Sequence, residues 1–111
     1  MKEKYQSVGL DFDLISSKFK DINEYESTVN AFFEDSHFDE LKTFIDDEDY
    51  AMAKDAVKGL YTLALELFLT PLYMILVDMY EDLEYENYKD LSAKYEQMYK
   101  KYKEIGFIFY A

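Results

Sequence analysis

Cysteine is absent from the 111-residue sequence, which excludes disulfides, thiolate metal sites and cysteine nucleophiles and suits a reducing cytoplasm. Turn-forming residues are scarce. One proline and three glycines are too few for the tight turns of a many-stranded sheet, whereas helical hairpins need little turn chemistry. Positive charge is also short, with 12 Lys+Arg against 24 Asp+Glu and a formal net charge of -12. Phosphate backbones and anionic headgroups are held by clustered basic residues, so neither nucleic acid nor a membrane surface is an expected partner. The most apolar run, Leu60 to Val77, is interrupted by Glu66, Thr70 and Pro71. It falls short of a spanning length and reads as two buried helices. The opening residues Met1 to Ser7 lack the apolar centre of a signal peptide, so a cytoplasmic location is expected.

What is present points to one all-α domain over residues 1–111. Half the residues are hydrophobic and 19% are aromatic, a composition foreign to disordered chains. Tyr50, Ala53, Val57, Leu60, Ala64 and Leu67 recur at spacings of three and four, predicting a central helix from Asp49 onward. Ala56, Tyr61, Leu63 and Phe68 widen its apolar face, and Lys54, Asp55, Lys58, Gly59, Thr62 and Glu66 form a wet stripe opposite. Thr70-Pro71 predicts the start of the next helix, with a stripe of Leu72, Ile75, Leu76, Met79 and Leu83. Asp78, Glu81 and Asp82 oppose the macrodipole there, predicting a frayed or early end. Tyr88, Leu91, Tyr95, Met98, Tyr102 and Ile105 predict a last helix of about five turns.

In the first half, Asp21 and Glu24 have capping-box spacing before a helix from Ile22 to Glu34. Ser36 and Asp39 repeat that signal before Phe38, Leu41, Phe44 and Ile45, and a short helix is expected around Asp13 to Phe19. Short connections predict an up-and-down antiparallel bundle with one or two short accessory N-terminal helices. The tail Gly106 to Ala111 is apolar without helical periodicity and is expected to pack on the bundle.

No residue set carries a catalytic signature. His37, the only histidine, reads as a surface or capping residue at a helix start. The acidic runs Asp46 to Asp49 and Asp78 to Glu86 lack the glycine and spacing of a calcium loop and read as solvated charge. The tyrosines of the last helix read as core. No enzyme activity, metal or cofactor is therefore expected.

The stretch Phe32-Phe33-Glu34-Asp35-Ser36-His37-Phe38-Asp39-Glu40-Leu41, with Asp49-Tyr50 and Leu67-Phe68-Leu69-Thr70-Pro71-Leu72-Tyr73, resembles small bacterial histidine phosphotransfer domains. The likeness covers roughly Phe19 to Lys103 and implies a four-helix bundle serving two-component phosphorelay signalling. In that family an exposed histidine is followed by a lysine and a glycine, three and four residues on. The gapless register places Lys58, Tyr61 and Thr62 at those three positions. A competing register makes Lys58-Gly59 the lysine and glycine, and puts Asp55 at the acceptor position. Neither register contains a histidine.

An ordinary lysine is an ammonium at neutral pH and has no lone pair to attack phosphorus, whereas imidazole keeps one. The resemblance therefore implies a protein that binds a response-regulator receiver or a histidine kinase domain without accepting phosphate. Its partner face would comprise Lys54, Asp55, Lys58, Tyr61 and Thr62. Two alternatives stand beside it: a working phosphocarrier with an unrecognised acceptor such as His37, and a structural module that self-associates through aromatic surface.

Overall fold

The computed structural model describes residues 1–110, the Tyr110 side chain excepted, and its regular elements are helices. They are α1 (Lys2–Gln6), α2 (Phe12–Lys18), α3 (Ile22–Phe33), α4 (His37–Asp46), α5 (Tyr50–Glu66), α6 (Thr70–Glu84) and α7 (Leu91–Tyr110). Helix α5 packs on α4 and α6, and α7 packs on α6, α3 and α4. One hydrophobic cluster runs from Tyr5 to Phe109 and draws on every helix.

The caps explain where several helices begin. Asp11 accepts the Leu14 N–H, Asp21 accepts those of Asn23 and Glu24, and Asp49 accepts that of Met52. Each satisfies an amide that the first helical turn leaves without a partner. Two expected caps differ. Ser36 turns its hydroxyl to Glu40 instead, and Asp35 Oδ1 receives the His37 N–H at 2.9 Å. Thr70 lies inside α6 behind Leu69, so it caps nothing, while Pro71 occupies the first turn as expected.

The ends of α4, α5 and α6 share one device. Glu48, Phe68 and Glu86 adopt φ of 57°, 56° and 56°, the left-handed conformation usually reserved for glycine. At each, the amide three residues beyond the helix returns to a carbonyl of the last turn. These bonds are Asp49 N–H to Phe44, Leu69 N–H to Ala64, and Asn87 N–H to Asp82 (2.8, 2.9 and 2.8 Å). Asp49 and Leu69 are simultaneously the caps of α5 and α6, so one helix turns into the next within three residues.

Three tyrosine hydroxyls, those of Tyr25 and Tyr95 buried and that of Tyr102 partly so, donate to backbone carbonyls of other elements. Tyr25 donates to Leu67 at the end of α5 (2.6 Å), Tyr102 to Phe33 at the end of α3 (2.7 Å), and Tyr95 to Phe38 (3.1 Å). Burial pushes the Tyr95 phenol up to about 12 and raises Tyr25 and Tyr5 further, which keeps all three as neutral groups at ordinary pH.

Four expectations about the elements are corrected. Helix α6 does not end early: Lys94 of α7 meets Asp82 at 2.7 Å and Asp78 at 3.1 Å, neutralising carboxylates that would otherwise oppose the dipole. Tyr88 precedes α7 and stacks on Tyr50 at 3.6 Å between centroids, joining the start of α5 to the connection between α6 and α7. The tail does continue the helix, because Ile105, Ile108 and Phe109 recur at three and four and are buried; Ala111 lies outside the described residues. Leu63, assigned to the apolar face of α5, is 38% exposed. Helices α1 and α2 are two short N-terminal helices, within the one or two expected; the sequence located only the second, and α1 ties to α2 and α3 through Lys2–Asp13 and Lys4–Glu26 pairs.

Candidate functional site

The five residues of the expected partner face occupy about 120° of the circumference of α5, given roughly 100° per residue. They divide into three groups. On the flank toward α6, the Lys54 ammonium pairs with the Glu84 carboxylate and lies 5.5 Å from the centre of the Tyr80 ring. The Glu84 hydrogen bond, working against partial desolvation, raises Lys54 above the ordinary lysine value. Tyr61 is half-buried, meeting Tyr80 and Tyr73 edge to face at 5.4 and 6.1 Å. Both residues are thus engaged within the protein and present only part of their surface.

Lys58 and Thr62 form the crest. Both are exposed, and the Thr62 hydroxyl donates to the Lys58 carbonyl at 2.8 Å, one turn back along the helix. The Lys58 ammonium has no ion pair or hydrogen bond among the described residues. It is an exposed side chain in the middle of α5 that no described residue engages.

Asp55 belongs to the opposite flank, where α5 and α4 leave a groove of about 210 Å³. Asp35, His37, Glu40 and Phe44 line one side of it, and Met52, Asp55, Gly59 and Leu63 the other. His37 stands at the start of α4, as expected, but the fold brings it to the same groove as Asp55, from which it is 18 positions distant in sequence. Its Nδ1 bonds to Asp35 Oδ1. With the proton on Nδ1 this contact leaves the lone pair on Nε2. Partial burial works to raise the Asp35 carboxyl, but the His37 N–H, ring and charge outweigh it and hold Asp35 below the ordinary carboxylate value.

Sequence reasoning missed both the groove and the Lys94 cluster. The groove required knowing that α4 lies along α5; the i to i+4 and i to i+7 relation of Asp55, Gly59 and Met52 was visible, but not what faced it. The acidic runs form no group of three or more His, Cys, Asp or Glu arranged to hold a metal among the described residues. Among the same residues no helix is long and apolar enough to cross a membrane. Compared with protein-family models, curated proteins and solved structures, the chain matches none.

Proposed function

We propose that this chain is a phosphotransfer-like adaptor: a helical module that binds a receiver or kinase domain through the crest of α5 and accepts no phosphate. The free Lys58 ammonium carries the reading. It stands exposed where the family resemblance expects a phosphate-accepting histidine, and it offers a cation rather than a nucleophile. The closed circuit of packing from α4 through α5, α6 and α7 back to α4 supports the four-helix bundle that the resemblance implies. Function then comes from occupancy: the module covers a receiver's acidic phosphorylation pocket, with Lys58 supplying complementary charge and Thr62 a hydroxyl beside it. Replacing Lys58 by Glu weakens such binding roughly fivefold or more, the size expected for reversing one exposed charge at an interface. Unchanged affinity for every receiver that binds the wild-type protein would remove this docking face from consideration.

A second reading, phosphate acceptance at His37, draws support from the Asp35 contact that orients the ring and from its place beside Asp55. It predicts acid-labile, base-stable label on the protein after incubation with a phosphorylated receiver, lost on His37→Gln. The adaptor reading predicts no label at all.

A further inference from the structure

The groove between α4 and α5 is lined in an uneven way. Its apolar surface comes from Phe44 on α4 and from Met52, Leu60 and Leu63 on α5. Met52 is 47% exposed and Leu63 38%, although each sits beside a buried core. They are eleven residues apart, about 16 Å along the helix axis, or three turns. Between them Gly59 leaves the groove open, since a Cβ at that position would have no heavy atom within 4 Å. The rim carries the carboxylates of Asp35, Glu40 and Asp55, and no lysine lines it. Asp35 is engaged by His37 and Glu40 by Ser36, but the Asp55 carboxylate has no hydrogen bond or ion pair among the described residues.

We propose that this groove docks an amphipathic helix of a partner protein, apolar on one side and flanked by lysine or arginine. Apolar side chains of the partner cover Met52 and Leu63, its backbone comes close at Gly59, and its flanking cations meet Asp55, Glu40 and Asp35. Charge selects this occupant over a second copy of the chain: the protein carries a formal -12, so two copies repel while a basic helix is drawn in. The groove lies on the flank of α5 away from Lys54, and its use does not depend on any receiver occupying the crest.

The test is a titration of the full chain with a fluorescent synthetic peptide of leucine and lysine, about five helical turns long, patterned to be amphipathic. A scrambled peptide of the same composition serves as the comparison. Saturable binding is expected, with amide shifts centred on Met52, Asp55 and Leu63. Scrambling the peptide, Asp55→Lys and Gly59→Gln should each weaken it by about tenfold, the scale of one lost contact set at an interface. Lys58→Glu should leave it within about twofold, which separates this groove from the crest of α5. At the exposed Gly59 an added Cβ meets no heavy atom within 4 Å, so Gly59→Gln is expected to keep the fold, which its melting curve checks. Equal binding of the scrambled peptide, full binding by Gly59→Gln, shifts elsewhere, or a dimer of the protein that seals the groove at assay concentration would each overturn the proposal.

Discussion

Two glycines of this protein should respond to alanine in opposite directions. Gly59 lies in the interior of α5, is exposed, and offers an added Cβ no atom within 4 Å. Alanine there changes no packing; it removes the extra freedom glycine has in the unfolded chain and improves helix propensity. The gain is about 1 kcal/mol. For a chain of this size that raises the melting temperature by roughly 4–6 °C. Gly9 instead has φ +82°, and a Cβ would stand 3.1 Å from Pro71 Cγ. Alanine at Gly9 costs about 1–2 kcal/mol from the left-handed backbone alone, and the Pro71 approach adds to it. Thermal and urea unfolding followed by far-UV circular dichroism measures both, with unchanged urea dependence showing that the unfolded states are alike. A Gly59→Ala protein that melts at or below the wild-type temperature would refute the reasoning, because something would then have to occupy the space beside Gly59.

The left-handed helix ends make a related prediction. Glu48→Gly and Glu86→Gly each relieve a strained backbone and remove a carboxylate from a helix C-terminus, and each should stabilise by about 0.5–1 kcal/mol in urea unfolding. Tyr25→Phe leaves the Leu67 carbonyl without its buried donor and should cost about 1–2 kcal/mol; loss of less than a few tenths would mean that water replaces the hydroxyl. Tyr95, Tyr25 and Tyr5 are held neutral with raised pKa values, so folding stability is fully present below the unfolded phenol value near 10 and falls as pH rises through the folded values, that of Tyr95 being about 12. Ionisation of these three buried phenols should therefore accompany loss of helical signal above about pH 10; full phenolate absorbance reached with the helical signal intact would contradict this.

The helices were legible because burial imprints its period on the sequence. Ala53, Val57, Leu60 and Ala64 are buried along α5, and Leu72, Leu76, Met79 and Leu83 along α6, in the pattern their spacing implied. Asp21 and Asp49 were legible as helix starts because an acidic cap acts on amides only two or three positions away. What could not be read were effects between elements. Lys94 rescues the end of α6 from another helix, and nothing near Asp82 in sequence announces it. The left-handed ends were hidden because Glu48, Phe68 and Glu86 are not glycine, so the usual mark of a helix terminus is missing. The tail looked aperiodic because its exposed Phe107 lies beside the buried Ile108 and Phe109, an apolar residue on the wet side that masks the stripe. Of the candidate site, the wet stripe of α5 was legible as a stripe, whereas its division into a Glu84-bound flank, a free crest and a grooved flank depends on α6 and α4.

The proposed role of the α5 crest is tested most directly by chemical-shift titration of the labelled protein with receiver domains from the same organism, each with and without a phosphoryl mimic. The account predicts saturable shifts centred on Lys54, Lys58 and Thr62 for at least one receiver, abolished or weakened by Lys58→Glu, with no phosphoryl label on the protein. Receivers that leave the crest unperturbed, or label that appears on His37, would contradict it.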